Sequence, residues 1–398
     1  MSGSRRDEGG AYDLVVVGAG PAGATAAVAA LEERPGLRVL LLDRADFPRD
    51  KCCGDGIAAQ AVDVLRAHGM QDAVEGWSPL RRLELAAGDT VVDGRMSRDV
   101  HVVPRRAFDA RLVEHAVDRG AELRRSRVRQ VEVREDRVVL DTGDAEVTGA
   151  VVLGADGAHS RVRAALTGRH HLTTPRRALA LRGYTPTPGW LAGRQVIRWG
   201  PGRQPSYAWA FDRGDGLANI GYGELVDDGP GPTRARMLDA LDGLLPGLVD
   251  DATDWRGHPL PLSGFRWQQP DGRCLLAGDA SGLVNPMTGE GIYYAVATGS
   301  LAGRAAAAAV ADGRPASAGR RYRHDVRRLL AGHLRHTWTA GTLAQRRGVV
   351  AAGVRAARGD QRVFDDLVEI GLGGGRITPR LGRSLAVELT RQLVRSTA

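Results

Sequence analysis

An α/β architecture with a β-rich centre and a helical C-terminal end is what this sequence predicts, and three observations carry it. The apolar run Leu14-Val15-Val16-Val17 leads into Gly18-Ala19-Gly20-Pro21-Ala22-Gly23, an Ala-rich stretch and a second apolar run closing at Asp43. That order reads as strand, tight turn, helix, strand. From about Leu179 to Tyr222, apolar and polar residues alternate with the period of half-buried strands. Beyond about Arg320 the chain is Arg-rich, with helical spacing.

Each element follows from its local pattern. Residues 11–17 are an uninterrupted apolar strand, as suits a parallel strand covered on both faces. Residues 21–33 form a helix with Pro21 in the first turn, where a missing N–H costs nothing. Residues 38–42 are the next strand. Phe108, Leu112, His115 and Ala116 share a helical face within 108–117. Segments 128–133, 137–141 and 145–153 read as a meander and a returning strand. Residues 178–182 and 196–199 are strands of the central region, and 233–244 is a helix. Residues 274–277 form a short apolar strand, followed by a second Gly-rich turn and an Ala-rich helix through 310.

The expected organisation is a discontinuous nucleotide-binding domain from 1–74, 105–170 and 270–325, a β-sheet-rich substrate domain from 75–104 and 171–269, and a helical region over 326–398. No internal repeat is visible. Residues 1–10 read as a disordered leader.

Composition narrows the function classes. Hydrophobic residues make up 43% and charged residues 26%, which describes a soluble globular chain. The net charge of +8 suits an anionic partner. Arg is scattered, however, and aromatics are only 5%, so nucleic acid is not an expected partner. Lys51 is the only lysine among 55 basic residues, which marks a position where an ammonium and a guanidinium are not equivalent. Cys52, Cys53 and Cys274 supply neither a disulfide framework nor spacing for a metal site, and a reducing, cytoplasmic compartment follows. Residues 14–31 carry no charge, but three glycines and a proline interrupt them, so a strand, turn and helix explain the run better than a membrane span or signal peptide.

Four separated segments carry the chemistry. In Gly18-x-Gly20-x-x-Gly23 the first glycine allows the turn, the second lets a pyrophosphate reach the backbone, and the third lets helix pack on strand. Asp43 lies 20 residues after Gly23, the spacing for an acid on a ribose hydroxyl. Far along the chain, Gly278-Asp279 follows a strand and leads into Asn285-Pro286-Met287-Thr288-Gly289-Glu290-Gly291-Ile292. The third segment is Gly154-Ala155-Asp156-Gly157-Ala158-His159-Ser160-Arg161-Val162-Arg163, and the fourth is Pro48-Arg49-Asp50-Lys51-Cys52-Cys53-Gly54-Asp55-Gly56. Each has a plainer reading. Asp279 and Asp156 could cap helices, Arg105 could be a surface arginine, and His159 is an ordinary loop residue.

Together these segments resemble a known family. The glycine–aspartate and aspartate–glycine motifs resemble those of FAD enzymes of the glutathione reductase type, and specifically the para-hydroxybenzoate hydroxylase-like superfamily. The fourth segment, with Tyr207-Ala208-Trp209-Ala210-Phe211, Asn219-Ile220-Gly221 and Leu181-Arg182-Gly183-Tyr184, resembles the geranylgeranyl reductases. The likeness covers most of residues 11–310 and fades in the C-terminal helices. It departs at Asp212, where the family usually has Pro, which leaves that turn open.

The resemblance implies a Rossmann-type FAD-binding domain whose cofactor set is Gly18, Gly20, Ala22, Gly23, Asp43, Arg44, Arg105, Val128, Asp156, Gly278, Asp279, Gly289, Gly291 and Ile292. Asp279 would accept a hydrogen bond from the ribitol chain. A helix beginning near Gly289 would aim its positive end at the flavin N1–C2=O edge, where charge gathers on reduction. Asp156 would lie between FAD and a nicotinamide nucleotide. Lys51 would stabilise the anionic flavin, and Cys53 would be a proton donor or a wall of the cavity. Cys52 is an extra and Cys274 a core residue. Tyr207 and Trp209 would floor an apolar substrate cavity, with sheet packing as the alternative.

The implied activity is reduction of C=C bonds in an isoprenoid or other apolar polyunsaturated small molecule, with NAD(P)H or another electron donor. Basic C-terminal helices would then rest on a membrane surface. An FAD-dependent monooxygenase of secondary metabolism, using NAD(P)H and O2, shares the cofactor motifs. A non-catalytic flavoprotein is a third reading. A halogenase is disfavoured, because Trp209 is not followed by the rest of that group's Trp-x-Trp-x-Ile-Pro signature. The sequence does not give the oligomeric state.

Overall fold

In a computed structural model of the chain, residues 8–168, 176–202, 204–226, 231–346 and 348–397 are described. The elements run in order β1 (Glu8–Val17), α1 (Pro21–Glu33), β2 (Val39–Asp43), β3 (Gly56–Ile57), α2 (Ala59–Ala67), β4 (Leu80–Ala87), β5 (Thr90–Val102), α3 (Arg105–Asp118), β6 (Glu122–Arg125), β7 (Gln130–Val133), β8 (Val138–Asp141), β9 (Glu146–Gly154) and α4 (Arg161–Thr167). Then come β10 (Arg177–Pro186), β11 (Arg194–Trp199), β12 (Tyr207–Asp212), β13 (Leu217–Val226), α5 (Arg234–Leu244), β14 (Thr253–Pro261), β15 (Cys274–Leu276), α6 (Ile292–Ala311), α7 (Ala318–Ala344), α8 (Val349–Gly359), α9 (Gln361–Leu372) and α10 (Pro379–Thr397).

Among the described residues the strands form two large sheets. The first has seven strands in the order β6-β2-β1-β9-β8-β7, with β15 also paired to β9. Its centre is parallel: Leu14 faces Val39 on one side and Val151 on the other. These strands lie between helices, which is why they read as continuous apolar runs. Strand β9 has two partners along one edge. Its first half pairs antiparallel with β8, and its end pairs parallel with β15. That geometry brings the chain from residue 274 back into the sheet of the N-terminal strand, with β9 between them. Residues 8–10 belong to β1 and not to the expected leader; residues 1–7 lie outside the described residues.

Helices α1 and α6 pack on this sheet through small residues. A Cβ on Gly299 would fall 2.2 Å from the Ala22 carbonyl oxygen, and one on Gly303 would fall 2.1 Å from that of Ala26. Only glycine permits backbones this close, and the Ala-rich composition of both helices follows from the same constraint. The second Gly-rich turn is thereby locked against the first.

The second sheet has eight strands in the order β14-β10-β13-β12-β11-β4-β5-β3. Helix α5 buries Met237 and Leu241 with Val196, Ala208 and Ile220 of this sheet. Helices α8 and α9 pack against β4 and β5: Val354, Ala357 and Phe364 join Leu83, Leu85 and Val92 in one apolar cluster. Asp212 resolves the turn that its departure from the family's Pro left open. Its carboxylate accepts hydrogen bonds from the Gly193 amide (2.7 Å), the Gly214 amide (3.0 Å) and the Thr187 hydroxyl (3.1 Å). Side-chain acceptors thus fix the turn that a ring would otherwise stiffen.

Candidate active site

One cavity of about 1280 Å3 lies between the two sheets and continues under the C-terminal helices. It exceeds the usual ~300–1,000 Å3 of a single small-molecule site, so it has room for more than one ligand. All but one of the sequence-predicted site residues border it: Gly18, Gly20, Ala22, Asp43, Arg44, Arg105, Val128, Asp156, Gly278, Asp279, Gly289, Gly291 and Ile292, with Lys51, Cys53, Tyr207 and Trp209. Gly23 does not. It sits inside α1, where a Cβ would fall 1.9 Å from the Gly18 carbonyl oxygen, so its part is helix-on-strand packing.

At one end the cavity is built from backbone and charge. Gly18 takes φ +98° and turns the chain from β1 into α1. Asp43, at the C-terminal end of β2, accepts hydrogen bonds from the Ala19 amide (2.9 Å) and the Ala45 amide (3.0 Å), which fix its carboxylate beside that turn. Arg105 opens α3 and is 5% exposed, so it is not a surface arginine. Its guanidinium forks onto Asp109 at 2.6 and 2.7 Å, and Arg49 reaches the same carboxylate at 3.0 Å. Asp109 and Arg49 were not read from the sequence. Arg105 and Asp109 lie four apart on one helix, which is the available signal.

Asp156 follows β9. Its Oδ2 accepts the Arg161 amide at 2.6 Å, at the first residue of α4, whose N-cap is Ser160. Its Oδ1 is buried without a partner among the described residues. Such an acceptor is costly unless a ligand meets it. Together with the glycine turn and the width of the cavity, it makes these residues fit a dinucleotide.

Asp279 lies in the short turn Gly278–Ser281 that follows β15 and pairs with the only lysine, Lys51 Nζ to Oδ2 at 2.9 Å. Burial pushes the Asp279 carboxyl up, but Lys51, His258 and Arg105 outweigh it and hold the group below its ordinary value. The position therefore carries a stable negative charge and does not act as a helix cap. Helix α6 begins at Ile292 and not near Gly289 as expected. The reason is local. The Asn285 amide bonds the Glu290 carbonyl at 2.8 Å, and Glu290 Oε1 accepts the Tyr293 amide at 2.8 Å, so residues 285–290 form a turn of their own.

The loop 51–56 separates the charged end from the rest. Burial pushes the Cys53 thiol up to about 11 and that of Cys52 up to about 12, so both stay protonated at neutral pH. Cys274 is buried core, as read from the sequence. Within the loop, Asp55 is fully buried. It accepts hydrogen bonds from Tyr184 Oη (2.6 Å) and Asn219 Nδ2 (2.8 Å), and Asn219 Nδ2 also donates to the Cys53 carbonyl (2.8 Å). Burial pushes Asp55 up to about 6 despite these donors. Arg182, fully buried, forms an ion pair with Asp50 at 2.8 Å. The sequence singled out Arg182, Tyr184 and Asn219 as motif letters; their common purpose, bracing this loop, appears only in three dimensions.

Trp209 donates from Nε1 to Asn219 Oδ1 at 2.8 Å and presses on Gly221, where a Cβ would fall 2.2 Å from the indole ring. Tyr207 donates its hydroxyl to the Thr288 carbonyl. Both residues pack in the sheet and border the cavity, so the two sequence readings describe one arrangement. Beyond them the lining turns aliphatic: Leu85, Val100 and Ile197 from the sheet, then Val350, Val354, Leu367, Val368 and Leu385 from α8, α9 and α10. The contribution of these helices was missed in the sequence, which offered them only as a basic region. No described helix is long and apolar enough to cross a membrane.

Comparison with known proteins agrees with this geometry. The model of the FAD binding domain family matches residues 11–180. A menaquinone reductase of Mycolicibacterium smegmatis is 34% identical over 311 residues, 73% of this chain and 75% of the relative. Digeranylgeranylglycerophospholipid reductase 1 of Methanopyrus kandleri is 33% identical over 324 residues, 76% of this chain and 82% of the relative. Among solved structures, a geranylgeranyl bacteriochlorophyll reductase-like protein of Thermoplasma acidophilum superposes with a TM-score of 0.79. It covers 94% of this chain and 96% of its own at 20% identity, a likeness of fold.

Proposed function

Because the chain belongs to the geranylgeranyl reductase family of FAD-dependent oxidoreductases, we propose that it reduces carbon–carbon double bonds of a polyisoprenoid substrate. The observation that carries this reading is the continuity of the cavity from the glycine turn at Gly18 to the aliphatic lining of α8 and α9. A polar dinucleotide suits one end and a prenyl chain the other, and the size leaves room for both. The relatives named for menaquinone and for a digeranylgeranyl lipid support a substrate with such a chain.

The cofactor set is the one the sequence marks. Gly18, Gly20 and the start of α1 would hold the pyrophosphate, Asp43 with Arg44 the adenosine side, and Arg105 and Val128, which also line the cavity, would border its course. Asp279 would take the ribitol chain, and Gly289, Gly291 and Ile292 would border the ring system. When bound, FAD supplies a hydride equivalent and is recharged by NAD(P)H or another donor. Lys51, tied to Asp279, would offer a positive charge to the negative charge that a bound flavin gathers on reduction. Cys53, Tyr207 and Trp209 wall the reacting double bond and keep water from it. The aliphatic end removes a prenyl tail from water at about 25 cal/mol per Å2 of apolar surface buried, which draws in apolar substrates and leaves short polar ones outside.

The test uses anaerobic protein with chemically reduced FAD and an isoprenoid carrying several double bonds. Gain of two hydrogens per turnover, by mass spectrometry, is the expected result. Oxygenated product on admitting air, with no saturated product beforehand, would replace this reading with a monooxygenase.

A further inference from the structure

Glu290 is the carboxylic acid that the mechanism above leaves without work. The glycines beside it fix its place. At Gly291 a Cβ would lie 3.5 Å from Asp279 Oδ1, and at Gly289 one would lie 3.6 Å from the Tyr207 hydroxyl and 3.3 Å from Leu260. Glu290 thus sits between the acid paired with Lys51 and the aromatic wall, and it lines the cavity. Its Oε1 is occupied by the Tyr293 amide. The side chain is half-buried, and the residue lines the cavity.

We propose that Glu290 is the catalytic acid of the reduction, delivering its carboxyl proton to the second carbon of the double bond; this rests on the reductase reading. The balance is simple. The alkene gains a hydride equivalent from the reduced cofactor at one carbon and the carboxyl proton at the other. The π bond of the alkene, the carboxyl O–H bond and the reductant's bond to the transferred hydride break, two C–H bonds form, the cofactor is oxidised by two electrons, and the carboxylate recovers its proton from water. A nicotinamide or other two-electron donor restores the cofactor.

The other acids near the site serve this step less well. The Cys53 thiol, pushed up by burial to about 11, gives up a proton reluctantly. The Tyr207 hydroxyl is raised further and is committed to Thr288. Lys51 is committed to Asp279. Burial pulls His258 down to about 4, so it carries no spare proton at neutral pH. Asp55 does not border the cavity. Burial, with Asp279 adding to it, pushes Glu290 up to about 7 against the Tyr293 and Ile292 amides and Arg105, which matches the pH at which a general acid works best. Arg105 of α3, Asp279 after β15, Cys53, Tyr207 of β12 and Tyr294 of α6 are the titratable and charged groups that face it.

The experiment compares holoenzyme of wild type, E290Q and E290D in anaerobic single turnovers from pH 6 to 9, with infrared titration of carboxyl protonation in the same samples. Wild type should lose rate above about pH 7, where one carboxyl band titrates. E290Q should keep its FAD and its rate of cofactor reduction, lack that band, and reduce substrate on the order of 100-fold more slowly with no break near pH 7. E290D, which keeps a carboxyl, should recover part of the rate and a shifted break. If E290Q does not retain FAD, the wild-type titration and the E290D profile decide. A rate for E290Q within twofold of wild type, or no carboxyl titrating between pH 6 and 8, overturns the proposal while the reductase reading stands. Wild type that saturates no isoprenoid double bond overturns the reading itself, and the proposal with it.

Discussion

The two ends of the cavity are built on opposite principles. At the nucleotide end, short contiguous motifs place glycine backbone and paired charges at the ends of parallel strands: Gly18 and Gly20 after β1, Asp43 after β2, Asp156 after β9 and Asp279 after β15. At the aliphatic end no motif exists. Val350, Val354, Leu367 and Val368 from the last third of the chain meet Leu85 and Val100 from the second sheet. A phosphate needs donors at fixed directions, which few backbone conformations supply, so its site constrains particular residues. A prenyl chain needs only apolar volume, and many residue sets supply that equally well. Chemistry demanding direction is written locally, whereas chemistry demanding only dryness is distributed.

Four variants test that contrast. The largest effect is expected for Gly20→Val, which places a branched side chain where the phosphate lies, with Arg49 already 3.2 Å from a Cβ there. FAD affinity, measured by flavin fluorescence, should fall by at least ~100-fold with the melting curve of the apoprotein unchanged. Full FAD loading would show that the nucleotide end tolerates what an aliphatic end tolerates.

Asp55→Asn tests the loop between the ends by pH. The folded Asp55 binds its proton up to about pH 6, above an ordinary carboxylate near 3.8, so the folded state holds a proton that the unfolded chain has lost. Its contribution is therefore fully present at low pH and fades as pH rises through about 4 to 6. Relative to wild type, Asp55→Asn should gain up to about 3 kcal/mol of stability from pH 4 to 7 in urea unfolding. The opposite slope from His258 is common to both proteins and cancels. A constant difference would mean that the carboxyl is ionised throughout.

Gly353→Leu probes the other end. Gly353 borders the cavity from α8, and a Cβ there meets nothing within 4 Å. The variant should bind FAD normally and reduce short prenyl substrates at wild-type rates, while kcat/KM for long chains drops about tenfold. Equal loss for all lengths would place the tail elsewhere. The smallest effect is expected for Cys53→Ala, which keeps FAD and slows turnover about threefold to tenfold, as loss of a wall and not of an acid. Unchanged turnover would reduce Cys53 to packing.

The sequence by itself determined the β-α-β unit, the helix over 21–33, the returning strand before Gly154 and the distant Gly278-Asp279. Each is carried by a backbone conformation or an uninterrupted apolar run that only a few residues permit. It also exposed Lys51 as the one retained lysine, and the Lys51–Asp279 ion pair is the structural correlate of that retention. Tertiary structure alone decided three matters. It brought Arg49 onto the buried Asp109 that Arg105 already holds within α3, it placed Glu290 on the cavity, and it turned a basic C-terminal region inward as the aliphatic lining. The physical reason is common to all three. Glycine conformation, chain direction and apolar period are local properties of the covalent chain, whereas ion pairing, burial of a carboxyl and the walls of a cavity exist only between segments that are far apart until the chain folds.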